Sequence, residues 1–184
     1  MNKSYWPSVM LVSFALITCC GSVCAQSDPR ISEIRRRNEL VNAQTEPIQE
    51  PATTFLNELV INKTDAPFPA VGIYRTVAKF YYTFGNRERN PYPDRLLKIM
   101  IATDRSNRKE SSEYLFNDAG QLILFSEKTE DFDHRVYFVR ERAIGFEKGG
   151  RLVNLRNSEV AATSARAIKE KAQLVAIFRG SLRL

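Results

Sequence analysis

Histidine occurs once in this 184-residue chain, and cysteine three times. The three cysteines are Cys19, Cys20 and Cys24, all near the start. From Gln26 onward there are none, which excludes a disulfide scaffold, thiol catalysis and cysteine-ligated zinc or iron–sulfur centres in that part. A long apolar run is also missing. The longest, Val9 to Ile17, is far shorter than the roughly 20 residues a membrane-spanning helix needs.

That short run has another meaning. Lys3 is the only charge before Asp28, the apolar stretch follows it, and "VCA" ends at Ala25 with small residues at the −3 and −1 positions. This is the three-part pattern of a secretory signal, with cleavage expected between Ala25 and Gln26. Lipidation at Cys19 is the competing reading, but Thr18 is a poor residue before a lipidated cysteine. Cleavage leaves 184 less 25, that is 159 residues, enough to bury a core without disulfide staples. Lys3 leaves with the signal, so 26 of the 27 basic residues stand against 21 acidic ones. That mild excess is far from the clustered charge of a nucleic-acid binder.

Asp28 and Pro29 open "SDPRISEIRRRNELVNAQ" as N-cap and first helical residue. Ile31, Ile34 and Val41 share a face, which predicts a short amphipathic helix over about 29–43 with Arg35–Arg37 on its solvated side. Pro47 and Pro51 break the chain after it. "NELVINK" reads as a short strand and "TDAPFPAVG" as loop. From Ile73 the period becomes two: Tyr74, Ala78, Phe80, Tyr82 and Phe84 alternate with Arg75, Lys79 and Thr83, a long strand with one buried face. "GNRERNPYPD" is a connector, "RLLKIMIAT" the next strand and "DRSNRKE" a polar turn. "EYLFN" and "QLILFSEK" form a hairpin around "DAG", with Gly120 at the left-handed position of a three-residue connection. "HRVYFV" and "RAIGFEK" pair across a shorter turn, and "GGRLVNL" can add a last strand. Asn157 or Ser158 caps a closing helix that Gly180 ends, with Ala161, Ala165, Ile168, Ala172 and Val175 on the expected inner face. The whole predicts one α+β domain over 26–184, an antiparallel β-meander of five to seven strands between an N-terminal and a C-terminal helix.

The signal ending "CAQ", the "ISEIRRR" helix, "FYYTFG", "EYLFNDAGQLILFSEK", "RVYF…GFEK" and the Ala/Lys-rich last helix together resemble a group of uncharacterised secreted proteins of Bacteroidetes-type bacteria. The resemblance implies secretion and this fold. It brings no activity, ligand or catalytic residue.

His134 stands in "TEDFDHRVYF" beside Glu130, Asp131 and Asp133. A carboxylate-oriented general base is one reading, with His134, Asp131 and Asp133 serving a small hydrolase or lyase. Ser126 and Ser158 lack any nucleophile motif, so a strand-entry residue after a charged turn is the simpler reading. The same acidic residues lack the spacing of an EF-hand loop, and no metal or other cofactor is implied. Asn62 in "NKT" would be a glycosylation sequon in a eukaryote. Nine basic and three acidic residues fall between Arg75 and Lys109, then nine acidic and four basic between Glu110 and Glu147. Either a cationic patch for an anionic partner or pairing of opposite charges between neighbouring strands accounts for this.

Two strands are apolar on both faces, and such strands are normally covered on both. Cover by the N-terminal helix and "PATTFLNELV" would make the second face plain core, but that helix is short, polar and joined by a proline-broken loop. Tyr81, Met100, Phe125 and Tyr137 are therefore expected around a partly open patch that binds a protein or envelope glycan partner, or a second copy of the chain. The leading expectation is a secreted or periplasmic binding module without catalysis.

Overall fold

The computed structural model describes residues 28–45, 54–69, 72–84, 95–106 and 108–183. The signal segment, the proline break after the first helix and the "GNRERNPYPD" connector lie outside them.

The first helix, α1, runs Pro29–Thr45. Asp28 caps it as its sequence position demands: its Oδ1 accepts from the Arg30 backbone N–H at 3.0 Å. The Arg30 side chain binds the same carboxylate, and these bonds pull its pKa down to about 2. Nine strands follow: β1 (Phe55–Ile61), β2 (Pro67–Phe68), β3 (Gly72–Thr83), β4 (Arg95–Arg105), β5 (Arg108–Phe116), β6 (Leu122–Lys128), β7 (Asp133–Val139), β8 (Arg142–Lys148) and β9 (Arg151–Leu152). Helix α2 (Ser158–Ser181) closes the chain. Asn157 caps it, its side chain accepting from the Glu159 N–H.

The sheet order is β1-β3-β4-β5-β6-β7-β8-β9, antiparallel throughout, with β2 added beside β3. The expected meander is there. It is larger than five to seven strands because two-residue strands add to it: β9, and β2, which lies in "TDAPFPAVG", a segment expected to be loop; the polar "DRSNRKE" segment lengthens β4 and β5. Polar residues suit that end of the sheet: along β4, Ala102, Asp104 and Arg105 are all exposed. The "DAG" connection matches the reading. Gly120 has φ 72°, and the Asn117 side chain accepts from the Ala119 and Gln121 N–H groups.

Two cores lie on opposite faces. One joins Phe80, Ile99, Tyr114, Phe125, Val136 and Phe146 to Val160, Ala167 and Phe178 of α2. The other joins Leu97, Leu115, Ile123, Leu124 and Tyr137 to Ile31, Ile34 and Val41 of α1. Strict alternation misplaces some of these residues. Irregularities at Tyr81/Tyr82 and Leu115/Phe116 shift the pleat, so Leu96 joins Ile99 under α2 while Leu97 faces α1. The inner face of α2 is also rotated from the expected one. Val160, Thr163, Ala167 and Phe178 are buried, whereas Ala161, Ala165 and Ala172 are exposed. In an alanine-rich helix several stripes look equally small, and the large Phe178 decides which one turns inward.

Both helices cross the strands. Glu159 near the start of α2 meets Lys148 of β8, and Ser181 at its end meets Asn57 of β1. A helix of 24 residues is about 36 Å long, enough to cross seven strands about 4.8 Å apart. Helix α1, with 17 residues or about 25 Å, reaches from Gly145 of β8 to Lys98 of β4. It covers a band of its face and leaves the rest bare of any described element.

Candidate functional site

His134 is carried on β7, on the face that α2 covers. Its ring stacks on Phe132 with centroids 4.7 Å apart and tilts against Phe146 at 5.2 Å. Its Nε2 is buried, lacks a hydrogen-bond partner and lies 3.4 Å from a Glu159 carboxylate oxygen. That carboxylate already accepts from Lys148 Nζ at 2.9 Å, and the bond holds Glu159 below its ordinary pKa. Asp133, one residue earlier, faces the opposite side of the sheet, as strand alternation requires. Asp131 is exposed in the preceding turn, where its N–H donates to Thr129 Oγ1. It lines a cavity of ≈120 Å³, below the several hundred Å³ of ordinary ligand pockets. The structure therefore brings Glu159, a residue sequence reasoning did not associate with His134, to the imidazole, and does not gather Asp131 and Asp133 around it. Among the described residues, no three His, Cys, Asp or Glu side chains are placed to hold a metal ion. Asn62 serves its own turn, donating to the carbonyls of Ala66 and Tyr74 at 2.7 Å each.

The four residues expected around an open patch are divided by the sheet. Phe125 is fully buried under α2, against Tyr114 and beneath the Arg166 guanidinium. Tyr137 is fully buried on the other face, under α1. Helix α1 covers that tyrosine because Gly145 beside it has no side chain: a Cβ there would stand 2.6 Å from Ile31 Cδ1. The Tyr137 hydroxyl donates to Glu147 Oε2 at 2.7 Å and accepts from Arg35 Nε at 3.1 Å. Burial leads in raising its pKa, and the Arg35 bond opposes it. Arg35 also ion-pairs with Glu147, and Arg37 binds the Phe116 carbonyl and Asp118. Two of the three consecutive arginines thus anchor α1 to the sheet instead of facing solvent. Tyr81 and Met100 lie on the same face as Tyr137, beyond the helix. Tyr81 is half-buried and Met100 38% exposed.

The Lys98–Glu113 pair marks the line where α1 ends, past which no described element covers the face. Lys98 is 3% exposed, its Nζ donating to Asn42 Oδ1 at 2.7 Å, 5.5 Å from the Tyr81 ring and 3.9 Å from Glu113 Oε1. Burial raises the Glu113 pKa, with Lys98 and Arg135 pulling the other way, and its Oε1 is buried without a hydrogen bond. Past this pair the bare face carries Val77, Met100 and Ala102 among charged residues. A groove of ≈750 Å³ runs there between Arg75, Asp104, Lys109, Lys128 and Glu130. Opposite charges on adjoining strands do pair on the sheet, as in Lys79–Glu58 at 3.8 Å and Arg105–Glu110 at 3.7 Å.

Compared with protein-family models, curated proteins and solved structures, the chain finds no match in any of the three.

Proposed function

We propose that the protein is a secreted or periplasmic binding module, non-catalytic, whose partner is a protein or an envelope glycan lying on the bare part of the α1 face. One observation carries this reading. Helix α1 crosses a band of that face, and past it Val77 and Ala102 line a broad groove of ≈750 Å³ with a charged rim, with exposed Met100 two residues before Ala102 on the same face of β4. An apolar centre with a polar rim is the ordinary anatomy of a recognition surface. The signal-like first 25 residues support the location, and no helix among the described residues is long and apolar enough to cross a membrane.

The test pairs a surface variant with a site variant. Wild-type protein is used to capture partners from envelope extract, beside a Met100→Lys, Ala102→Glu variant. Both positions are exposed, so the variant is expected to keep its circular-dichroism spectrum and to lose the captured partner. Equal capture by both proteins rejects the surface. Intact mass of the exported form is expected to start at Gln26; a diacylglyceryl adduct on Cys19 would instead place the protein on a membrane.

The rival reading, a small hydrolase or lyase, has one observation in its favour: the unpartnered Nε2 of His134 beside Glu159. On that reading Glu159 orients the imidazole. Loss of a discovered activity by orders of magnitude in His134→Ala would establish it over the binding module.

A further inference from the structure

The other flank of α1 faces the tips of the β5–β6 and β7–β8 hairpins. Between them lies a groove of ≈590 Å³, well within the range of small-molecule sites. Its floor is apolar: Ile34, Ile123 and Phe138 line it and are buried. Its wall carries Leu40, 59% exposed, the most exposed of the large hydrophobic residues described. A second cavity of ≈310 Å³ continues from Leu40 towards Val41 and Leu97.

The rim is cationic. Arg30, Arg36, Arg37 and Arg140 line the groove, against Glu33 and Asp118. Arg30 is occupied by Asp28, and Asp118 is shared by Arg37 at 2.7 Å and Arg95 at 3.2 Å. Among the described residues, Arg36 and Arg140 ion-pair with no carboxylate, and Glu33 pairs with no cation. Counting those partners, positive charge is left over at the rim. Arg140 is moreover held with φ at 49°. Glu141 beside it has φ 61°, so the two form the two-residue turn of the β7–β8 hairpin, whose type requires positive φ at both positions and holds Arg140 at the hairpin tip.

An apolar trough with an exposed leucine and two unpaired guanidinium groups at its edge matches one ligand chemistry. We propose that this groove binds an amphiphilic anion, with a phosphate or carboxylate head on Arg36 and Arg140 and an aliphatic tail along Leu40 and Ile123. Guanidinium groups suit such heads because they form paired, charge-assisted hydrogen bonds to them. The site is separate from the bare sheet face on which the binding-module reading rests, so either can fail alone.

Calorimetric titration with dodecyl phosphate, kept below its critical micelle concentration, tests the proposal. Inorganic phosphate and dodecyl maltoside separate the head from the tail. Dodecyl phosphate is expected to bind one-to-one, at least about tenfold more tightly than either control, a difference near 1.4 kcal/mol. Arg36→Glu with Arg140→Glu is expected to weaken it about tenfold or more. Arg108→Glu with Arg183→Glu, equal in charge and outside the groove, is expected to leave it unchanged. Leu40→Ser, an exposed substitution that cannot unfold a core, is expected to weaken dodecyl phosphate. Equal binding of the maltoside, equal binding of inorganic phosphate, loss in the Arg108/Arg183 variant, or full affinity in the Arg36/Arg140 variant each overturns it. So does the absence of binding.

Discussion

Glu113 shows what a single side chain costs where a helix stops halfway across a sheet. Burial disfavours its charged form, and Lys98, 3.9 Å away, does not fully compensate. The folded protein therefore holds this proton more tightly than the unfolded chain does. The stability that goes with protonation is complete below the ordinary carboxylate pKa and is lost as pH rises through the raised value. Glu113→Gln, a neutral stand-in, is expected to be more stable than wild type at pH 7 and to lose that advantage in acid, below the ordinary carboxylate pKa. Urea midpoints across that range check this; a less stable Gln variant at neutral pH would mean the Lys98 attraction dominates. The pair was not legible in the sequence. "RLLKIM" shows a lysine inside an apolar strand, which is the one available signal, but its partners Asn42 and Glu113 lie on other elements. The charge asymmetry between Arg75–Lys109 and Glu110–Glu147 left two readings open, a cationic patch or pairing between strands, and Arg105–Glu110 is one such pair across β4 and β5. Arg35 and Arg37 were invisible as anchors because their partners, Glu147 and Asp118, are far along the chain.

Helix α1 was easier to read than α2, and the reason is contrast. Its three buried residues are its only isoleucines and valine, and Asp28–Pro29 fix its start. In α2 small residues occur on every side, and composition could not choose among them. The bulges at Tyr81/Tyr82 and Leu115/Phe116 likewise leave no mark in the alternation of large apolar residues. Docking of α1 hinges on Gly145, whose added Cβ would press on Ile31 Cδ1 at 2.6 Å and Tyr137 at 3.3 Å. Gly145→Ala is expected to destabilise the protein by about 1–3 kcal/mol, as overpacked cores do. Ile31→Val removes the opposing methyl at a cost of about 1 kcal/mol. If the close approach is the cause, the double variant is more stable than the sum of the two single effects predicts. Strict additivity in a double-mutant cycle would show that α1 does not rest on that contact.

At the scale of the molecule, the α+β class and the antiparallel meander between two helices were present in the periodicity and the turn residues, whereas the two-residue β2 lay in a segment read as loop. What was missing is how far the strands extend past the helices, because a bare sheet end is as polar as a loop. The order in which these elements pair has a kinetic consequence. Along β3–β9 each strand pairs with the next in sequence, so most sheet contacts close short loops. Helix α1 is different: Arg35 reaches Tyr137 across 102 residues and Glu147 across 112. Contacts of long sequence separation carry the larger loop-closure cost and form after local ones. The strands should therefore assemble first, with α1 docking after the transition state. Ile34→Ala is then expected to speed unfolding and leave the refolding rate nearly unchanged, while Phe125→Leu, inside the meander, slows refolding. Equal slowing by both would mean that α1 helps to nucleate the sheet. If α1 docks late, the helix translated first is the last to settle, and the face that holds Tyr137 stays wet until β8 exists to receive Ile31.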